Sequence, residues 1–139
     1  MSDITFKHHD PNVMLELWHV TKRFGGLVAV NDLSFEVKER QIHALIGPNG
    51  SGKSTILKTI IGQLPSISGS VFLDGADMRS RSRGDVARRM AILMTARMDP
   101  ELMTCRDVVS TGRYPYTGHL GVLRPEDKAI VEQSLRETD

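Results

Sequence analysis

The pattern of apolar and polar positions divides this chain into stretches of different period. MLELWHV (residues 14–20) is a strand-like run of large side chains, and LSFEV (33–37) alternates Leu33, Phe35 and Val37 against Ser34 and Glu36, the period of a half-buried strand. Between them TKRFGGLVAVND holds the pair Gly25-Gly26, which marks a turn. These stretches predict an antiparallel sheet near the N-terminus. QIHALIG (41–47) has another character, nearly continuously apolar toward its end, as in a strand covered on both faces, and AILM (91–94) is a second stretch of that kind. The two predict a central parallel sheet.

Helical spacing follows 41–47 after a short loop. Ile56, Leu57, Ile60 and Ile61 fall at i, i+1, i+4 and i+5, one stripe of a helix, and Gly62 is placed to stop it. SGSVFLDGADM (68–78) predicts a short strand between glycines, and RSRSRGDVARR (79–89) a helical turn or two. A helical patch around CRDVVSTG and a Gly- and Pro-bearing connection through RYPYTGHLG lead to a last helix. That helix opens at Pro125 with Glu126 and Asp127 in its first turn and carries Ile130, Val131, Ser134 and Leu135 along one side. Residues 1–13 are polar and read as a tail, so the adjacent His8 and His9 count as solvated side chains.

The strand, loop and helix around residues 41–62 frame the chain's most concentrated chemistry. Gly47-Pro48-Asn49-Gly50-Ser51-Gly52-Lys53-Ser54 satisfies G-x-x-x-x-G-K-S/T in full. A triphosphate gathers several negative charges in a small volume, and binding it takes many converging donors. Glycines remove the β-carbon so that backbone N–H groups can curl around phosphates, and a following helix start adds partial positive charge. Lys53 can reach the β- and γ-phosphates as a point charge, Ser54 can place its hydroxyl on Mg²⁺, and Thr55 stands toward the α-phosphate. The dinucleotide fingerprint G-x-G-x-x-G fails, because Asn49 stands where its middle glycine belongs.

With its flanks, this motif resembles the ATP-binding subunits of ABC transporters. GPNGSGKST is similar to the family's Walker A loop, and VTKRFGGLVAVNDLSFEV and SGSVFLDGADM to its flanking segments. The resemblance runs from about residue 14 to the end and implies an α/β P-loop NTPase core with an N-terminal antiparallel β-subdomain, residues 14–139 forming the N-terminal part of a nucleotide-binding domain. It implies ATP and Mg²⁺ as cofactors, Gly47 to Thr55 as the phosphate cradle, Ser54 as the metal-bearing hydroxyl, and Phe24 as the aromatic that stacks on adenine, where the family usually has Tyr. Thr95, in AILMTARM, takes the place where the family's Q-loop usually has Gln; it is shorter and offers one hydroxyl. TGRYPYTGHLGVLRPEDKAIVEQSL is similar to importers of iron-siderophores, haem and cobalamin, whereas FGGLVAVNDLSFEV is also similar to branched-chain amino-acid importers.

Hydrolysis needs a carboxylate at the end of an apolar strand to hold Mg²⁺ and a group to orient water. The family's Walker B Asp-Glu, switch His and LSGGQ-type signature do not occur in these 139 residues. VFLDG ends in Asp74 as a Walker B might, but Gly75 stands where Glu is wanted. The resemblance therefore implies a chain truncated before those segments, an ATP-binding module inactive as an ATPase by itself. The partners it implies are transmembrane permease subunits, a second ATP-binding subunit in a dimer and, indirectly, an extracytoplasmic substrate-binding protein. Its implied place is cytoplasmic, peripheral on the inner face of the cell membrane.

Composition narrows the rest. A charge of +1 gives no whole-chain case for nucleic acid, and the arginines at 79, 81, 83, 88 and 89 lack interleaved aromatics, so they read as a solvated face. The single Cys105 excludes an internal disulfide framework and fits a reducing compartment. No stretch approaches the ~20 apolar residues of a membrane span. Met90, Met94, Met98 and Met103 read as core or interface filling. His19, His43 and His119 match no catalytic spacing, and Trp18 reads as a packing residue.

Overall fold

The alternating stretches near the N-terminus join into one long hairpin. The computed structural model describes residues 11–93, 102–118 and 120–138. In it β1 (Val13–Phe24) pairs antiparallel with β2 (Leu27–Lys38), and Phe24 and Leu27 close the hairpin across Gly25-Gly26, with Gly25 at φ +56°. The turn is where the glycine pair places it, but both strands run up to it. β3 (Ser68–Leu73) lies on the other side of β1, and β4 (Ala76–Asp77) beyond it, giving the order β2-β1-β3-β4 with every pair antiparallel. Asp74 and Gly75, at φ +47° and +72°, form the two-residue turn between β3 and β4. Left-handed backbone at both central positions is what such a hairpin requires, and Asp-Gly supplies it. Asp74 is thus a turn residue of the antiparallel sheet.

One of the breaks in the regular pairing of β1 builds the core. Leu17 and Val20 are three positions apart, which in a regular strand puts them on opposite faces, yet each is only 1% exposed. The register slips between them against both neighbouring strands. His19 and Asp32 each take φ +49°, and the His19 ring nitrogen Nδ1 meets Asp32 Oδ1 at 2.5 Å. The backbone N–H groups of the bulge go to side chains: His19 N to Ser34 Oγ at 2.8 Å and Asp32 N to Thr21 Oγ1 at 3.0 Å. The extra residue returns Val20 to the face of Leu17. Burying two such side chains is worth about 1.5–3 kcal/mol each. Gly69 follows from the same bulge, because a β-carbon there would lie 2.3 Å from His19 O.

Helix α1 (Lys53–Ile60) buries Ile56, Thr59 and Ile60, which join Leu17, Val20, Val30, Val71 and Leu73 as the buried residues of this unit. Leu57, on the stripe the spacing predicted, is half exposed. Gly62, at φ +74°, ends the helix where the sequence places the stop. A 3₁₀ turn (Met78–Ser80) follows β4, with Asp77 accepting from Arg79 N at 2.8 Å.

The two stretches predicted as central parallel strands form no strand. Residues 41–46 carry no regular element, with Ile42 99% and Ile46 91% exposed, and at 91–93 Leu93 is 98% exposed. Among the described residues neither stretch has a ladder partner. A strand exists only by pairing with at least one neighbour, and a continuously apolar one also needs cover on both faces. Residue 94, and with it the end of the second stretch, lies outside the described residues.

The chain divides into two compact units after Ser82. In the second, α2 (Arg83–Arg89) is tied to a 3₁₀ turn (Tyr114–Tyr116): Arg88 donates to Pro115 O at 3.0 Å, and the Tyr116 hydroxyl donates to Arg88 O at 2.9 Å. Helix α3 (Cys105–Thr111) begins with a capping box in which Thr104 and Asp107 satisfy each other's backbone N–H groups. Helix α4 (Pro125–Glu137) starts at the predicted proline and buries Val131 and Asp127. Asp127 Oδ1 accepts from Arg113 Nε and Nη2 at 2.9 and 2.7 Å, and Oδ2 from Arg124 N at 3.1 Å. These donors, Arg113 first, hold its carboxyl below the usual carboxylate range against the opposing effect of burial. Among the described residues no helix is long and apolar enough to cross a membrane.

Candidate nucleotide site

The glycine-rich loop is positioned by close contact with the hairpin. Gly52, the N-cap of α1, sits at φ +91°, and a β-carbon there would lie 2.4 Å from Ala29 O in β2. Only glycine combines that backbone conformation with that approach. Gly50 is also left-handed, at φ +83°, but has open space around it. The loop turns through Ser51 N to Pro48 O at 3.3 Å, and Ile56 N to Gly52 O at 2.9 Å is the first helical bond. No side chain caps the start of α1, and no acidic residue lies in its first turn. The helix therefore presents its first N–H groups, with their partial positive charge, to whatever lies over the loop.

A groove of about 460 Å³ opens at this point. One wall is Asn49 to Thr55; the other is the hairpin tip, Phe24, Leu27, Val28 and Ala29. The loop wall is polar and glycine-rich, while the hairpin wall is apolar, with Phe24 46% and Leu27 68% exposed. None of the lining residues is Asp or Glu, and Lys53 is the cation among them. Lys53 Nζ donates to Gly47 O at 2.6 Å and Pro48 O at 2.7 Å, with Ser51 Oγ at 3.4 Å. The ammonium thus sits within its own loop, held by neutral carbonyls that an anion can displace. Ser54 is exposed in the groove, and Thr55 half buried.

Of the residues named from the sequence, the structure brings Phe24, Asn49, Gly50, Ser51, Gly52, Lys53, Ser54 and Thr55 to one groove. Gly47 and Pro48 do not line it; their carbonyls hold Lys53. Thr95 lies outside the described residues, as do Met94, Met98, His8, His9 and His119. Leu27, Val28 and Ala29 were legible only as part of a connection; the signal for them was the two-residue Gly25-Gly26 turn, which forces the residues after it straight back alongside Phe24.

A glycine-rich turn feeding an uncapped helix start beside an apolar strand tip defines a phosphate-loop protein. The chain belongs to the ABC transporter family, which residues 30–139 match. It is 40% identical over 123 residues to an uncharacterized ABC transporter ATP-binding protein of Methanocaldococcus jannaschii, covering 88% of this chain and 42% of that protein. It is 41% identical over 115 residues to the iron(3+)-hydroxamate import ATP-binding protein of Bacillus subtilis, covering 83% of this chain and 43% of that one. A solved nucleotide-free ATP-binding cassette from an ABC transporter matches with a TM-score of 0.67 at 26% identity, over 89% of this chain and 52% of its own. The fold is that of an ABC ATPase with its N-terminal antiparallel sheet, and the chain spans less than half the length of the curated relatives it matches.

Proposed function

We propose that this chain binds ATP with Mg²⁺ in the groove between Asn49–Thr55 and the hairpin tip, as the nucleotide-holding part of an importer's ATP-binding subunit. The observation that carries this reading is the division of the groove into a polar loop wall and an apolar wall. A nucleotide is itself a polyanion joined to an apolar ring system. The loop's N–H groups, the start of α1 and Lys53 suit the phosphates, and the open space a glycine leaves at Gly50 gives them backbone to approach. Ser54 is the hydroxyl placed to share an oxygen-preferring Mg²⁺, and Phe24 with Leu27 and Val28 suits the base.

The iron(3+)-hydroxamate import relative supports an iron chelate as the cargo of the whole transporter. Transmembrane permease subunits, a second ATP-binding subunit and a place at the inner face of the membrane belong to this same reading. Among the described residues no carboxylate lines the groove to orient a water, which supports reading the chain as one that holds ATP without turning it over.

Isothermal titration of the 139-residue chain with ATP and Mg²⁺ tests the reading. The expected result is binding that falls at least about tenfold in Lys53→Ala, since a hydrogen bond to a charged group is worth about 1.5–3 kcal/mol, with no steady-state phosphate release. Binding indifferent to Lys53→Ala overturns the cradle. Phosphate release that Lys53→Ala abolishes overturns the inactive reading.

A further inference from the structure

We infer that Lys22 is a positioning residue for nucleotide-base stacking, acting through Phe24; this rests on the reading of Phe24 as the base platform. Phe24 stands at the end of β1 with almost half its surface exposed, so packing alone does not fix its ring. Lys22 lies two residues earlier in the strand, and its Nζ sits 5.3 Å from the Phe24 ring centroid. The same Nζ donates to Pro65 O at 2.7 Å. Pro65 belongs to the segment after α1 that is tied to β1 by Ile67 N to Thr21 O at 2.8 Å. A long flexible side chain is thereby anchored at its tip, and the ring lies against the anchored charge.

The arrangement does two things to the ring. It restricts the ring's rotation, which lowers the ordering cost of stacking a base on it. It also places positive charge on one face. Aromatic faces are negative, so two π-systems meeting face to face repel through their quadrupoles, and a cation on the far side of one ring offsets that repulsion. Phe24 lines the groove and Lys22 does not. Lys22 therefore acts on base affinity without touching the nucleotide.

The test compares two ligands in four proteins. Titrate ATP and inorganic tripolyphosphate, each with Mg²⁺, into the wild-type chain, Lys22→Met, Phe24→Ala and the double variant. A cation over an exposed ring is worth about 0.5–1 kcal/mol, which is a ceiling on its effect on base binding, so Lys22→Met is expected to weaken ATP by up to about two- to fivefold. Tripolyphosphate affinity should be unchanged, and in the Phe24→Ala background Lys22→Met should have no further effect on ATP. Lys22→Arg, which keeps both cation and donor, should restore ATP affinity. Equal loss for both ligands, or a loss that persists without the Phe24 ring, overturns the proposal and makes Lys22 a structural or long-range electrostatic residue. No loss at all overturns it too. If the wild-type chain binds ATP no tighter than tripolyphosphate, the base-platform reading itself fails, and this proposal with it. Far-ultraviolet circular dichroism of each variant identifies a loss caused by unfolding, which would show as equal weakening of both ligands.

Discussion

Replacing Gly52 by alanine tests whether the loop is held by its approach to the hairpin. Two costs are separable there. The first is conformational: a residue with a β-carbon at φ +91° occupies left-handed backbone, at about 1–2 kcal/mol. The second is steric. The new β-carbon would lie 2.4 Å from Ala29 O, about 1 Å closer than ordinary van der Waals contact, and the atom in the way is backbone of β2, between the paired residues Val28 and Val30, rather than a movable side-chain end. Either the start of α1 or β2 must shift, a form of overpacking that costs about 1–3 kcal/mol. Gly52→Ala is therefore expected to lose about 2–5 kcal/mol. Gly50→Ala is the control, because Gly50 has the same left-handed backbone, at φ +83°, and nothing within 4 Å, leaving only the conformational cost. Urea unfolding followed by circular dichroism gives both values, and titration with ATP reports the loop. Gly52→Ala no more destabilising than Gly50→Ala would refute the argument that contact with Ala29 sets the loop's position.

The second unit supplies two further tests. The Asp127 carboxyl is lowered below its ordinary value by Arg113, so its contribution to stability is complete above the ordinary value and is lost as pH falls from there through the lowered one. As pH falls below the ordinary carboxylate range the amides of α4 should lose protection from exchange faster in the wild type than in Asp127→Asn, which starts less stable at neutral pH because Arg113 is left half-buried without its partner; parallel acid profiles would contradict this. Thr104→Ala removes the hydroxyl that accepts from Asp107 N and should destabilise α3 by about 0.5–2 kcal/mol, measured by urea unfolding, while Thr104→Ser should keep most of it.

Much of the local structure was legible in order along the chain because it depends on short-range physics. The Gly25-Gly26 turn, the glycine stop at Gly62 and the proline start at Pro125 are each decided by backbone preference within a few residues, and each stands where the pattern put it. The phosphate loop is legible for the same reason, since glycine, lysine and hydroxyl positions are a chemical requirement written contiguously. The side chain of Asp127 read only as helix-start charge, and its burial against Arg113 came from a residue fourteen positions earlier, at a separation no local pattern encodes.

Continuous apolarity at 41–46 and 91–94 told what those stretches need, not what they have. A parallel strand exists only through neighbours, so composition can demand a partner without supplying one. By itself, then, the sequence determined the loop's chemistry, its family resemblance and the punctuation of its elements. Tertiary structure decided which wall faces the loop. The bulge at His19 and Asp32 brings Leu17 and Val20 to one face, Ala29 presses against Gly52, and Lys22 is anchored beside Phe24, because strand register and close backbone approach are set across the sheet rather than along the chain.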